Sequence, residues 1–280
     1  MELVNIETGN FMCDGGAMFS VVPKVMWSRK YPCDENNYCN CAMRSMLVVE
    51  GDRKILIDNG TGDKQDETFF AHQQLNGDAS LVSSIENAGF STDDITDVVF
   101  THLHFDHCGG AVKWNNAKTG YELVFPNATH WVSKRHWENY KNPNIRESDA
   151  FFDENIMPIQ EAGRLRFVEK EGALFPNFEV RFFDGHTPGL MIPILKKGNQ
   201  TIVFAGDFIP TVANIPVKWL ASYDLNPTAS LSEKESFLQE AVKNQYFLFF
   251  QHDIQYECCS LIQTDKGVKV DECFPLSSIK

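Results

Sequence analysis

One pattern occurs twice in this chain and constrains its fold more than any single residue does. The first copy is Leu47-Val48-Val49, a polar turn at Gly51-Asp52-Arg53, and Ile55-Leu56-Ile57 running into Asp58-Asn59-Gly60. The second is residues 191–195, the turn Lys196-Lys197-Gly198-Asn199, and Ile202-Val203-Phe204 running into Ala205-Gly206-Asp207. Strand-length apolar runs around a short Gly-containing turn read as hairpins. A helical pattern follows each. Leu81, Ile85 and Ala88 keep helical spacing, with Gly89 as a stop. Ser230-x-x-Glu233 reads as a capping box ahead of Phe237, Leu238, Ala241 and Val242. Each helix leads to an apolar strand that ends at a histidine: Val98-Val99-Phe100 before Thr101-His102, and residues 247–250 before Gln251-His252. Alternating strands and helices predict an α/β fold. They place polar side chains at strand ends, where such folds build their sites.

Composition limits the possible partners. The 280 residues are 43% hydrophobic and predict a single domain over 1–280 made of two similar halves. The formal charge of −13 argues against a nucleic-acid partner and against electrostatic membrane binding. The longest apolar stretches, such as residues 247–250, are far shorter than a spanning helix. Met1-Glu2-Leu3-Val4-Asn5 lacks the basic start and apolar run of a secretory signal, so a cytoplasmic location is expected. None of the eight cysteines forms a C-x-x-C pair, and they read as small buried hydrophobes.

The chemistry concentrates in Thr101-His102-Leu103-His104-Phe105-Asp106-His107-Cys108-Gly109-Gly110. A helix would spread the donors around its circumference, so a strand running into a tight loop is expected. Gly109 and Gly110 would let the backbone turn sharply afterwards. Imidazole with carboxylate suits Zn, Fe, Mn or Co rather than copper(I).

The motif resembles that of the metallo-β-lactamase-fold hydrolases. Gly185-His186-Thr187-Pro188-Gly189 resembles the family's third-histidine loop, Ala205-Gly206-Asp207 its bridging-aspartate loop, and Phe249-Phe250-Gln251-His252-Asp253 its late histidine strand. The order is kept over residues 47–252. The resemblance implies an αββα sandwich of two mixed sheets. It implies that His102, His104 and His186 bind one divalent metal ion, that Asp106, His107 and His252 bind a second, and that Asp207 bridges them. Zn is the first expectation for both ions. Asp58 would orient a ligand histidine through its other ring nitrogen; the plain alternative is a turn aspartate. His72, His130 and His136 match no motif and read as surface or structural. The chemistry implied is attack by a metal-bridging hydroxide, with Asp106 as the catalytic proton carrier.

Softer matches resemble the bacterial quorum-quenching N-acyl-homoserine lactonase-like branch. They are Asp14-Gly15-Gly16-Ala17-Met18-Phe19, Asp34-Glu35-Asn36-Asn37, Pro210-Thr211 and Tyr223-Asp224-Leu225-Asn226-Pro227. A lactone or related small ester is therefore the expected substrate. Tyr223 is a candidate to donate a hydrogen bond to it, and an N-terminal arm of about 1–40 is a candidate cover for the site or a homodimer contact. Pro210 stands where acyl-homoserine lactonases place a tyrosine, and Asn59 where threonine is commoner. Phosphotriester or phosphodiester hydrolysis on the same metals is the second reading. A mononuclear-iron sulfur dioxygenase and a non-catalytic metal-stabilised binding protein are the third and fourth.

Overall fold

The computed structural model describes residues 1–280. The chain packs as two compact units: residues 1–9 with 43–170, and residues 10–42 with 171–280.

The first unit carries a six-stranded sheet and a small ribbon. Its strands are residues 2–9 of β1 (Glu2–Asp14), residues 43–50 of β2 (Tyr38–Glu50), β3 (Arg53–Ile57), β4 (Asp97–Val99), the ribbon pair β5 (Val112–Trp114) and β6 (Tyr121–Leu123), β7 (Thr129–Ser133) and β8 (Leu165–Val168). The sheet order is β1-β2-β3-β4-β7-β8. β2 and β3 form the expected hairpin, closing at Glu50↔Arg53, with Gly51 at φ +58° making the tight turn. The helix Leu81–Asn87 crosses over, and β4 returns parallel to β3. Leu81 and Ile85 bury the helix's apolar side in a core with Leu47, Leu56, Val98 and Phe100. Gly89 follows at φ +86°, the left-handed stop that glycine adopts without strain.

The second unit holds a seven-stranded sheet: β9 (Gly172–Phe175), β10 (Phe178–Phe183), β11 (Leu190–Lys197), β12 (Gln200–Phe204), β13 (Phe247–Phe249), β14 (Cys258–Thr264) and β15 (Gly267–Phe274), in reverse order across the sheet. The first unit's topology recurs. β11 and β12 make an antiparallel hairpin, the helix Pro227–Lys243 crosses over, and β13 runs parallel to β12. Phe237, Leu238 and Ala241 pack on Val203, Leu248 and Phe250. Both sheets are mixed, as the resemblance implied.

One boundary differs. The second crossover helix starts at Pro227, capped by Asn226, whose side chain accepts from the Ala229 N–H. Asn-Pro is a stronger start than Ser230, since proline at the first turn loses no hydrogen bond. Ser230 and Glu233 lie inside the helix and form no capping box there. Ser230 Oγ donates to Asp224, and Glu233 accepts the backbone N–H groups of Asp184 and Gly185. The N-terminal arm also holds more order than its composition suggested: β1, then two short helical stretches, Gly15–Phe19 and Lys24–Trp27, over a cluster of Met18, Phe19, Trp27, Tyr31, Cys39 and Cys41. No helix is long and apolar enough to cross a membrane.

Candidate metal centre

In the first unit the donors sit just beyond β4. Asp58 follows β3 at φ +54°, a left-handed conformation that aspartate tolerates better than most residues. Its carboxylate is fully buried and accepts three bonds: from the Thr101 N–H at 2.7 Å, the Thr101 hydroxyl at 2.7 Å and His107 Nδ1 at 2.9 Å. The Thr101 hydroxyl hydrogen goes to Asp58, so Thr101 Oγ1 is left to accept from His102 Nδ1 at 3.0 Å. One buried carboxylate thus orients two histidines, His107 directly and His102 through Thr101. Three donors converge on this carboxylate, more than a simple turn aspartate would gather.

The loop itself departs from the expectation in part. His102 and Leu103 leave β4 in an irregular loop, whereas Phe105–Cys108 is one turn of helix that begins at His104. Asp106 and His107 are neighbours on that turn, with Oδ2 and Nε2 3.4 Å apart. Gly109 has an ordinary φ of −64°, so it is not there to make a sharp turn. Space is the reason for both glycines: a Cβ on Gly109 would lie 2.0 Å from the Thr61 carbonyl oxygen, and one on Gly110 2.1 Å from that of Asn59. The backbones of the two loops press together, and Lys64 Nζ reinforces the contact by donating to the Gly109 carbonyl. Burial pulls the Lys64 ammonium down to about 8.

Two residues outside any motif complete this half. Glu147 Oε1 lies 3.0 Å from His104 Nε2. His136, buried on the helix Lys134–Lys141, accepts the Leu103 N–H at 2.9 Å and so fixes the loop backbone between the first two histidines. Of the three unmatched histidines, His72 is exposed, while His130 and His136 are wholly buried.

In the second unit, His186 leaves the Asp184-Gly185 turn with its Nδ1 3.2 Å from Asp224 Oδ1. Asp224 is held from behind by Ser230 at 2.8 Å. His252 lies beyond β13, with Nδ1 2.8 Å from the Ala42 carbonyl oxygen. Asp207, on a single turn after β12, faces both: its Oδ2 is 3.2 Å from His186 Nε2 and its Oδ1 2.8 Å from His252 Nε2. Asp253 ties down the neighbouring chain by accepting the Val212, Gln255 and Tyr256 N–H groups. Tyr223 is half-buried, its ring edge-on to His186 at 5.7 Å. Burial, and then the nearby Asp207, push its phenol well above the ordinary range, so it stays protonated as a donor.

All five histidines share one arrangement. One ring nitrogen is engaged by an outer partner, and the other faces a donor atom of a second candidate ligand. Outer partners of this kind fix the tautomer and aim a lone pair inward, as in metal sites generally. In the first unit the inward atoms are His102 Nε2 and His104 Nδ1, 2.9 Å apart. With both outer nitrogens protonated, two lone pairs meet there, which favours a shared cation. The histidine and carboxylate donors suit a borderline divalent ion. Cys108, beside them, is no such ligand: its thiol donates to the Leu103 carbonyl oxygen, and burial raises it to about 12.

The chain is similar to several known proteins. The chain is 24% identical over 180 residues to an N-acyl homoserine lactonase of Bacillus thuringiensis, covering 63% of this chain and 63% of that protein. It thus spans less than two thirds of that relative's length. A Bacillus cereus N-acyl homoserine lactonase is 23% identical over 247 residues, covering 84% of this chain and 87% of its own. Among solved structures, a probable metal-dependent hydrolase from Staphylococcus aureus superposes with a TM-score of 0.89 at 29% identity, covering 98% of this chain and 96% of the other. AidC, a dizinc quorum-quenching lactonase, shares the fold with a TM-score of 0.80 at 22% identity, over 98% and 95% of the two chains. The model of the Metallo-beta-lactamase superfamily matches residues 42–252, and with three quarters of its length and all four of its motifs inside that match, the chain belongs to this superfamily.

Proposed function

We propose that the chain is a metal-dependent hydrolase that opens a lactone or related small ester on two divalent ions. His102, His104 and His186 would hold one ion, Asp106, His107 and His252 the other, and Asp207 both. The observation that supports this most is the uniform arrangement of the histidines: each has one nitrogen tied outward by Thr101, Glu147, Asp58, Asp224 or the Ala42 carbonyl. Histidines kept for packing alone have no need of five separate orienting partners.

When bound, such an ion pair supplies a water of near-neutral pKa and polarises the carbonyl under attack. The residues would do the rest. Asp106, partly exposed and 3.4 Å from His107, would take a proton and return it to the departing alkoxide. Tyr223, kept protonated, would donate to the substrate carbonyl or leaving oxygen. The N-terminal arm of about 1–40 would cover the acyl end, and a homodimer through the same arm, which exposes Val21, Val25 and Met26, is a natural arrangement.

Metal analysis of protein purified without added metal should give about two ions per chain, with zinc the first expectation. Proton release on a panel of acyl-homoserine lactones, other lactones, aryl phosphotriesters and phosphodiesters should rank the lactones first. One iron per chain would overturn the dinuclear reading. Phosphotriester turnover with every lactone inert would replace the substrate.

A further inference from the structure

We propose that Tyr31, in the N-terminal arm, is a positioning residue for the metal centre: its hydroxyl fixes the main chain at His252, so that docking of the arm and retention of one ion are coupled. The inference rests on the reading of His252 as a ligand.

His252 lies beyond β13, and residues of the segment 10–42 hold it on three sides. Its ring is edge-on to Phe11, with centroids 5.4 Å apart. Its Nδ1 faces the Ala42 carbonyl oxygen at 2.8 Å, and its own carbonyl oxygen accepts the Ala42 N–H at 3.2 Å. The third contact is Tyr31. Its hydroxyl lies 3.1 Å from the same His252 carbonyl oxygen and 2.9 Å from that of Asn40, and it accepts the Ile254 N–H at 3.0 Å. One hydroxyl, donor and acceptor at once, thus joins the start of β2 to the chain on both sides of Asp253. The orienting partners of the other four histidines, Thr101, Glu147, Asp58 and Asp224, lie outside residues 10–42.

The arm is built to carry this residue. After the helix Lys24–Trp27 the chain turns back, with the Lys30 and Tyr31 N–H groups donating to the Trp27 carbonyl oxygen. Tyr31 is 2% exposed and packs on Phe19, which stacks on Trp27. The arm is latched in turn to the segment after β12. The Ser222 N–H and hydroxyl both donate to the Ala17 carbonyl oxygen, at 2.7 and 3.0 Å, and the Asn214 side chain donates to that of Met18 at 3.1 Å. A displaced arm would withdraw Tyr31 from His252. By linkage, an ion that needs His252 in place must favour the docked arm by the same factor. If Tyr31 only filled the core, phenylalanine would serve as well, since it keeps the ring and loses only the hydroxyl.

Two measurements test the proposal. In the first, amide hydrogen exchange over residues 15–31 is followed with zinc bound and after zinc removal. Zinc should slow exchange there about tenfold in the wild type and much less in Tyr31→Phe. No slowing in the wild type would overturn the proposal without need of a variant that folds, and equal slowing in both proteins would overturn it too. In the second, both metal-loaded proteins are titrated with a competing chelator. One ion should leave the variant at roughly tenfold lower chelator, and the other at the wild-type concentration. Unchanged retention of both ions would overturn the proposal alone, and so would an equal drop in both, which marks a general loosening. A wild type that binds no ion would overturn the reading of His252 as a ligand, and this proposal with it.

Discussion

The two units hold their candidate ligands by different means. In the first, three histidines and Asp106 fall within residues 102–107, and their outer partners are side chains brought from elsewhere in the unit: Asp58 and Thr101 behind His102 and His107, Glu147 behind His104. In the second, the ligands stand at separate turns and strand ends. His186 has a side-chain partner in Asp224, but His252 is oriented by the Ala42 backbone carbonyl. Crowding explains the difference. Donors packed into six positions cannot all be aimed by one stretch of backbone, so side chains anchor the rings, and Asp58 serves two of them. A lone histidine after a strand can be aimed by the strand beside it.

The sharpest way to break this comparison is at Asp207, which alone faces both histidines of the second unit. Asp207→Asn should reduce lactone turnover to the level of a blank and lower the bound metal below two ions per chain, read by elemental analysis. Normal turnover with full metal would remove Asp207 from the ligand set.

Asp58→Asn comes next. Asparagine tolerates the left-handed backbone at this position, so the change tests the carboxylate rather than the turn. An amide nitrogen facing His107 or Thr101 reverses the hydrogen bonding behind both rings. Retention of each ion should fall by about ten- to a hundredfold in chelator competition. Loss of only the ion assigned to His107 would show that Thr101 does not relay Asp58 to His102. No comparable single change reaches the ring of His252, whose partner is a carbonyl oxygen of the main chain.

Sequence reading reached the parts of this site that are local. The repeat fixed the two hairpins, the two crossover helices and the parallel return strands, because apolar periodicity and Gly-containing turns are written in consecutive residues. It reached Asp58 only through position in a known pattern. It missed Glu147, His136 and Thr101, whose roles depend on partners supplied by the folded unit. Glu147 sits in a polar segment, Asn142-Pro143-Asn144-Ile145-Arg146-Glu147, that reads as an ordinary loop; one buried glutamate among exposed neighbours leaves no periodic trace. Ser230-x-x-Glu233 misled for a related reason. The pattern was real, but its two side chains are turned to Asp224 and to the His186 loop, because Asn226-Pro227 had already started the helix.

Buried bases give both units a pH dependence that can be measured, and Lys64 of the first unit shares the higher window with Lys234 of the second. In the first unit burial lowers the His130 imidazole to about 3, and in the second it lowers the Lys234 ammonium to about 7. For His130 the unfolded chain takes up the proton near the ordinary histidine value of about 6.5, while the folded chain refuses it until about 3. Stability is thus lost progressively as pH falls through that window, by about 2–3 kcal/mol near pH 4.5. For Lys234 the sign is the same and the window higher: its penalty is full below about 7 and relieved as pH rises towards the ordinary lysine value of about 10.4. His130→Leu should flatten the acid limb of the melting curve and leave the alkaline limb unchanged. An acid limb as steep as the wild type's would remove His130 as its cause.

The smallest expected effect lies behind His186. Ser230 Oγ donates to Asp224 Oδ2, and Asp224 Oδ1 meets His186, so Ser230 acts on the candidate ligand through one intermediary. Gly185 packs so closely on Ser230 that a Cβ there would lie 2.3 Å from its Oγ, so a smaller side chain at 230 is accommodated without a clash. Ser230→Ala removes one hydrogen bond to a charged group and should cost about 1–2 kcal/mol of stability. It leaves Asp224 in place, so metal retention should weaken by less than about tenfold, below the loss on Asp58→Asn. Were Ser230→Ala to release an ion as readily as Asp58→Asn does, the second unit would depend on side-chain anchors as heavily as the first. The contrast between the two halves would then belong to His252 alone.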